Sequence, residues 1–132
     1  MRSKIRKDKF GEVFTPIPLV QEMLDQLPPD VWTNYSKTFL DNSCGNGNFL
    51  VEVLRRKLQL NHNPLQSLST IYGVDIMQDN IDDCKQRLSE LIDETHKKEA
   101  RKIIDHNIIC HAALDWNYDE WKPLTSKSKA LF

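Results

Sequence analysis

The stretch Asp41-Asn42-Ser43-Cys44-Gly45-Asn46-Gly47-Asn48-Phe49 decides how this 132-residue chain is read. Before it comes a short apolar run, Thr38-Phe39-Leu40-Asp41, that stops at turn residues and reads as a strand. After it, Phe49, Leu50, Val53, Leu54 and Leu58 recur at helical spacing. A strand therefore enters a tight glycine loop, and a helix leaves it. Gly45 and Gly47 lack a Cβ, so the backbone can turn sharply and aim N–H groups at a ligand. No Gly-Lys-Ser/Thr follows, so this is not a phosphate-binding P-loop. Nor is it the full dinucleotide fingerprint, whose third glycine would fall at Leu50, where the packing would be too tight for it.

Downstream, Ser69 to Asp75 is apolar and β-rich, and reads as a second strand ending on an acid. A carboxylate there can accept two hydrogen bonds from ribose hydroxyls. A lone strand-end acid is more often a cap or turn residue. Paired with a glycine loop across one βαβ unit, it points instead to an adenosine-type ligand. Asp79 is a candidate cap for the next helix, whose apolar stripe is Ile81, Cys84, Leu88, Leu91 and Ile92. The charged stretch Asp93 to Lys102 reads as solvated helix surface, and Asn107 to Cys110 as a third strand. Upstream, Leu19, Val20, Met23, Leu24 and Leu27 mark a helix with Pro18 in its first turn, ended by Pro28-Pro29. Asn61 to Ser67 reads as a loop. Alternating strands and helices imply an α/β fold with parallel pairing. The expectation is a Rossmann-like half-fold, with about three parallel strands flanked by helices and a ligand at their carboxyl ends.

Composition narrows the class. Hydrophobic residues make up 39% and charged residues 28%, which suits one globular domain. We expect a basic arm over 1–12, a cofactor-binding core over 13–116 and a tail over 117–132. The arm and tail read as frayed termini, the arm alternatively as a phosphate-contacting segment. No run approaches the ~18 apolar residues that span a membrane, and the basic N-terminus, followed by no apolar run, does not read as a signal peptide. Cys44, Cys84 and Cys110 form no metal or disulfide pattern, and a reducing cytoplasm is the simplest reading. A net charge of −1 argues against a protein that grips nucleic acid over most of its surface. The four histidines share no metal spacing and read as surface residues. Trp116, Tyr118 and Trp121 read as core packing for the tail, or alternatively as a base-stacking platform. Cys44 reads as a small packing residue, or as a thiol made reactive by its position at a helix start.

Taken in order, three motifs carry a specific resemblance. Asp41-xxx-Gly45-x-Gly47-x-Phe49 resembles the first cofactor motif of S-adenosylmethionine-dependent methyltransferases, and Gly73-Val74-Asp75-Ile76 the second. Upstream, Phe14-Thr15-Pro16 resembles the signature of DNA amino-methyltransferases of the gamma motif order. The resemblance covers Phe10 to Asn80 closely and extends more loosely to Trp116. It implies S-adenosylmethionine as cofactor and DNA adenine as target. It implies that Phe14, Thr15 and Pro16 close over the methionine end and that Asp41 lies near the methionine ammonium. Gly45 and Gly47 would let the loop pass beneath the ligand, Asp75 would hold the ribose, and Ile76 would pack on the adenine. Phe49 has two readings, pocket lining and helix core.

The chain also departs from that family. The family's acid after the third strand aligns with Ala112, and only a loop rearrangement would bring in Asp115. Losing that hydrogen bond costs about 0.5–1.5 kcal/mol. The Asn/Asp-Pro-Pro-aromatic tetrapeptide that holds the extruded base is not found in these residues, and neither is a target-recognition domain. We therefore expect the cofactor-binding portion of a methyltransferase, inactive alone. DNA would be met through a separate part, and a second copy or a complementing chain would complete the sheet edge. Two other classes stay open: a non-catalytic module that binds S-adenosylmethionine or a methyltransferase partner, and an unrelated nucleotide-binding Rossmann protein.

Overall fold

The three strands are short because each carries only enough apolar sequence to cross a thin core. The computed structural model describes residues 14–121, so the expected basic arm and most of the tail lie outside the described residues. Strand β1 is Phe39–Asp41, β2 is Ile71–Asp75 and β3 is Ile108–Cys110. All are parallel, in the order β1-β2-β3. Asp41 lies opposite Gly73, and Asp75 opposite Cys110. Strand β2 therefore projects two residues past the end of β1, and the glycine loop folds over that projection. The Cys44 N–H donates to the Val74 carbonyl at 3.0 Å.

Helix α1 is Ile17–Asp25, α2 Asp30–Thr33, α3 Asn48–Gln59, α4 Pro64–Leu68, α5 Gln78–Glu90 and α6 Lys97–Asn107. The main core lies between the helices and one sheet face, with Val20, Leu24, Leu50, Leu54, Ile71, Ile81, Leu88, Ile104 and Ile108 buried. Strand side chains alternate faces, so Tyr72 and Val74 point the other way. There they form a second cluster with Trp121, against which Trp116 and Tyr118 pack. The ring centroids of Tyr72 and Trp121 are 4.7 Å apart, and those of Trp116 and Trp121 are 5.6 Å apart. The Trp121 indole donates to the His106 carbonyl at 2.9 Å. Of the two readings of these aromatics, core packing is the one the structure bears out. Residues Ile71 to Val74 are buried on both sides, as a parallel strand requires.

Several boundaries differ from the sequence reading. The stretch Asn61–Ser67 is not all loop: Pro64 starts α4, and the Asn63 side chain caps it by accepting from the Gln66 N–H. An Asn-Pro pair is itself a helix-start signal. Asp79 is not the cap of α5; that position is Met77, and Asp79 lies in the first turn. Within 93–102 the chain first makes a 3₁₀ turn, Glu94–His96, and Ala100 is buried in α6. His62 is buried rather than at the surface, and only His111 of the four histidines is exposed. Cys44, Cys84 and Cys110 are free thiols. Among the described residues, no helix is long and apolar enough to cross a membrane, and no His/Cys/Asp/Glu group is placed to hold a metal.

Candidate functional site

The site forms where β1 and β2 end and the glycine loop crosses them. Gly45 has φ +53° and Gly47 φ +92°, in the left-handed region that side chains resist. A Cβ on Gly47 would fall 2.7 Å from the Cys84 sulfur, and one on Gly45 would fall 2.9 Å from the Phe14 ring. Gly47 is therefore required twice, for backbone angle and for space, whereas Gly45 is required for its backbone angle and gives the Phe14 ring room to lie against the loop. Gly73 matters for a different reason. A Cβ there would lie 2.7 Å from the Leu50 side chain. Close helix–strand packing is thus achieved with a glycine on the strand, not at Leu50 on the helix.

Asp75 is the hub. Its Oδ1 accepts the Gly45 N–H at 3.2 Å, and its Oδ2 accepts the Met77 N–H at 3.0 Å and the Asn80 amide at 3.1 Å. A carboxylate offers about four acceptor positions. Three are engaged inside the protein, which leaves room for about one further donor. Asn80 is fully buried, and sequence reasoning missed it. Asp41 is half-buried and accepts the Ser43 N–H at 3.1 Å. Burial pushes its carboxyl above the usual carboxylate range. The Ser43 bond opposes this, and the nearby Asp75 charge adds to it. The Cys44 thiol is pushed far up by its hydrogen bond to Cys84 and by burial, so it stays protonated. This favours the packing reading of Cys44 over the reactive one.

Phe14, Thr15, Asp41, Asn46 and Phe49 line a cavity of about 30 Å³, together with the loop backbone. That is the scale of one water. Asn46 leaves its Oδ1 buried without a partner. Phe49 serves both roles considered for it, since it lines the cavity and packs on the main core. Pro16 is exposed just before α1. Ile76 is 58% exposed at the end of β2, open to a flat ligand. Asp115 is exposed on the turn after β3, where its N–H donates to the Ala112 carbonyl at 3.0 Å. Of the residues singled out from the sequence, Phe14, Thr15, Asp41 and Gly45 meet at the cavity, Asp75 bonds to the Gly45 N–H, and Gly47 shapes the loop behind. Asp115 is not part of that group.

Beyond the cavity, an apolar groove of about 490 Å³ runs along β1, lined by Met23, Leu27, Leu40 and Val53 among others. Among the described residues, β1 pairs with β2 alone, so its other edge is open.

A family model described as N-6 DNA Methylase matches residues 2–108. The type II methyltransferase M.VspI of Vibrio sp. (strain 343) is 34% identical over 89 residues, covering 67% of this chain and 19% of that protein. The chain thus spans about a fifth of the length of this relative. No solved structure matches the chain. With the family match running through all three strand starts and the glycine loop, the chain belongs to the N-6 DNA methylase family.

Proposed function

We propose that this chain holds S-adenosylmethionine for an enzyme that methylates the exocyclic amino group of adenine in DNA. Membership of a methylase family implies a methyl donor; the identity of the donor is our reading of the site. The observation that carries it is the Asp75–Gly45 hydrogen bond, which joins a strand-end carboxylate to a glycine loop forced open by two positive φ angles. The residues fit the ligand chemically. Asp41 and the unpartnered Asn46 Oδ1 are acceptors for an ammonium group. The remaining acceptor position on Asp75 suits one ribose hydroxyl, and exposed Ile76 suits the adenine face. The cavity is too small for the methionine end as it stands, so the Phe14 ring moves aside on binding.

When bound, S-adenosylmethionine supplies a methyl group activated on a sulfonium. The chain's own residues bind and orient. Asp41 becomes a better partner once an ammonium faces it, because the positive charge lowers its raised pKa. Holding a target amino group is work for residues that these 132 do not include, so the chain alone binds the donor without transferring methyl to DNA. The groove beside β1 supports a further strand there, supplied by more of the same protein, a second copy or a complementing chain.

Calorimetric titration of S-adenosylmethionine tests the reading. We expect micromolar binding, weakened about ten- to hundredfold in Asp75→Ala, since bonds to a charged group are worth ~1.5–3 kcal/mol. Absence of binding at millimolar ligand would leave the non-catalytic interaction module as the better account.

A further inference from the structure

Two residues without a role in the sequence reading join the site to the rest of the fold. Arg87, in the last turn of α5, reaches back to the glycine loop. Its Nη1 donates to the Asn46 carbonyl at 3.0 Å and to the Asn48 Oδ1 at 2.8 Å. Asn48, the first residue of α3, donates in turn from Nδ2 to the Thr15 carbonyl at 2.9 Å. A continuous series of hydrogen bonds therefore links α5, the glycine loop and the segment Phe14 to Pro16.

The series has one consistent direction. A guanidinium only donates and a carbonyl only accepts. The Asn48 amide therefore has its oxygen toward Arg87 and its nitrogen toward Thr15; the reverse orientation would lose both bonds. Neither a carboxylate nor an aliphatic side chain at position 48 meets both demands. The partners are 33 and 39 residues apart in sequence, so the bonds tie separate elements rather than neighbours. Arg87 also grips the backbone of Asn46, whose own side-chain oxygen is left open.

We propose that Arg87 and Asn48 are positioning residues that latch the Phe14–Pro16 segment onto the glycine loop and so set how long the methyl donor is retained. The proposal rests on the reading of this loop as the S-adenosylmethionine site. The Phe14 ring lies against Gly45 and closes a cavity of about 30 Å³, so it has to swing out for a ligand to enter. With the Thr15 carbonyl anchored, the ring swings about a fixed neighbour and returns over the ligand. Without the anchor, the segment leaves with it. Arg87 does not itself line the cavity, so its effect on binding passes through Asn48 and Asn46.

The test is S-adenosylmethionine binding by the unaltered chain, Arg87→Gln and Arg87→Lys, read by calorimetry and stopped-flow release. Exchange of the Asn48 side-chain amide protons is followed by NMR. We expect Arg87→Gln to weaken binding about five- to tenfold, through faster release, at an unchanged melting temperature. Arg87→Lys, which keeps a charged donor group but not the reach of the guanidinium Nη1, should recover part of the loss. The Asn48 amide protons should exchange slowly in the unaltered chain and fast in Arg87→Gln. Equal release rates in all three proteins, or unchanged Asn48 exchange, would overturn the latch while leaving the cofactor site intact. Absence of binding by the unaltered chain would overturn the cofactor reading, and the latch with it. Should Arg87→Gln not fold, the comparison of Arg87→Lys with the unaltered chain decides.

Discussion

The two ends of the sheet both bury charge, and they handle it differently. At the amino end, Lys57 is fully buried in the last turn of α3. Its ammonium donates to the Thr70 hydroxyl at 2.7 Å and the Lys37 carbonyl at 3.2 Å, and lies 5.1 Å from the centre of the Phe39 ring. Burial lowers its pKa to about 8. Burial, and then the Lys57 charge, also hold His62 below the usual imidazole range. At the carboxyl end, Asp41 is raised, Asp75 retains acceptor capacity, and Asn46 Oδ1 has no partner. At the amino end the Lys57 ammonium finds its acceptors within the protein, although His62 Nδ1 and Ser67 Oγ are buried there without a partner; at the carboxyl end the open acceptors gather beside the glycine loop. Open acceptors beside a loop held open by glycine are what the proposed ligand site rests on.

The contrast can be tested by perturbing each end. The largest effect should come from Gly47→Ala. It imposes a side chain on a positive φ and drives a Cβ into Cys84, so we expect a loss of about 3 kcal/mol or more in chemical denaturation. A variant as stable as the parent would show that the loop tolerates a side chain at position 47.

Next is the pH response of the amino end. Lys57 has a folded pKa of about 8 against an unfolded value near 10.5. Between these values the folded protein has lost a proton that the unfolded chain still carries, so stability rises with pH across that window. Below pH 8 both states are charged and the penalty is complete. The rise is at most about 3 kcal/mol. Denaturation midpoints from pH 7.5 to 10 should show it, and Lys57→Met should abolish it.

A smaller change is expected from Asp41→Asn. Because burial raises the folded pKa of Asp41, its ionised form costs stability at neutral pH, and that cost disappears as pH falls through the raised value. The amide should stabilise the free chain by less than about 1 kcal/mol and still weaken S-adenosylmethionine binding. Gain in stability with loss of affinity marks a ligand site; loss of both would make Asp41 a structural residue. Smallest of all, Asp115→Ala should leave binding within about twofold, as expected for an exposed residue on the turn after β3.

Much of the site was legible because glycine and acid positions are local facts. Gly45, Gly47 and Asp75 were marked by strand–loop–helix order alone, and the structure brings Asp75 onto the Gly45 N–H. Asn80 was not legible, although it is only five residues beyond Asp75, because nothing in the sequence says that its amide turns inward. Asn48 and Arg87 were hidden for a stronger reason, since their bonds span 33 and 39 residues. Asn63-Pro64 was read as loop because a proline in a polar stretch suggests a break, but that proline begins a helix.

The sequence by itself determined the alternation of strands and helices, the parallel sheet, and the loop and acid of the candidate site. These follow from apolar periodicity and from residues with special backbone freedom, which act over a few positions. Only the tertiary structure decided how much of Asp75 is left for a ligand, that Phe14 closes the cavity, and that Lys57 rather than an apolar residue fills the far end of the sheet. The physical reason is that hydrogen-bond saturation, burial and the pKa values they set depend on atoms brought together across the whole fold.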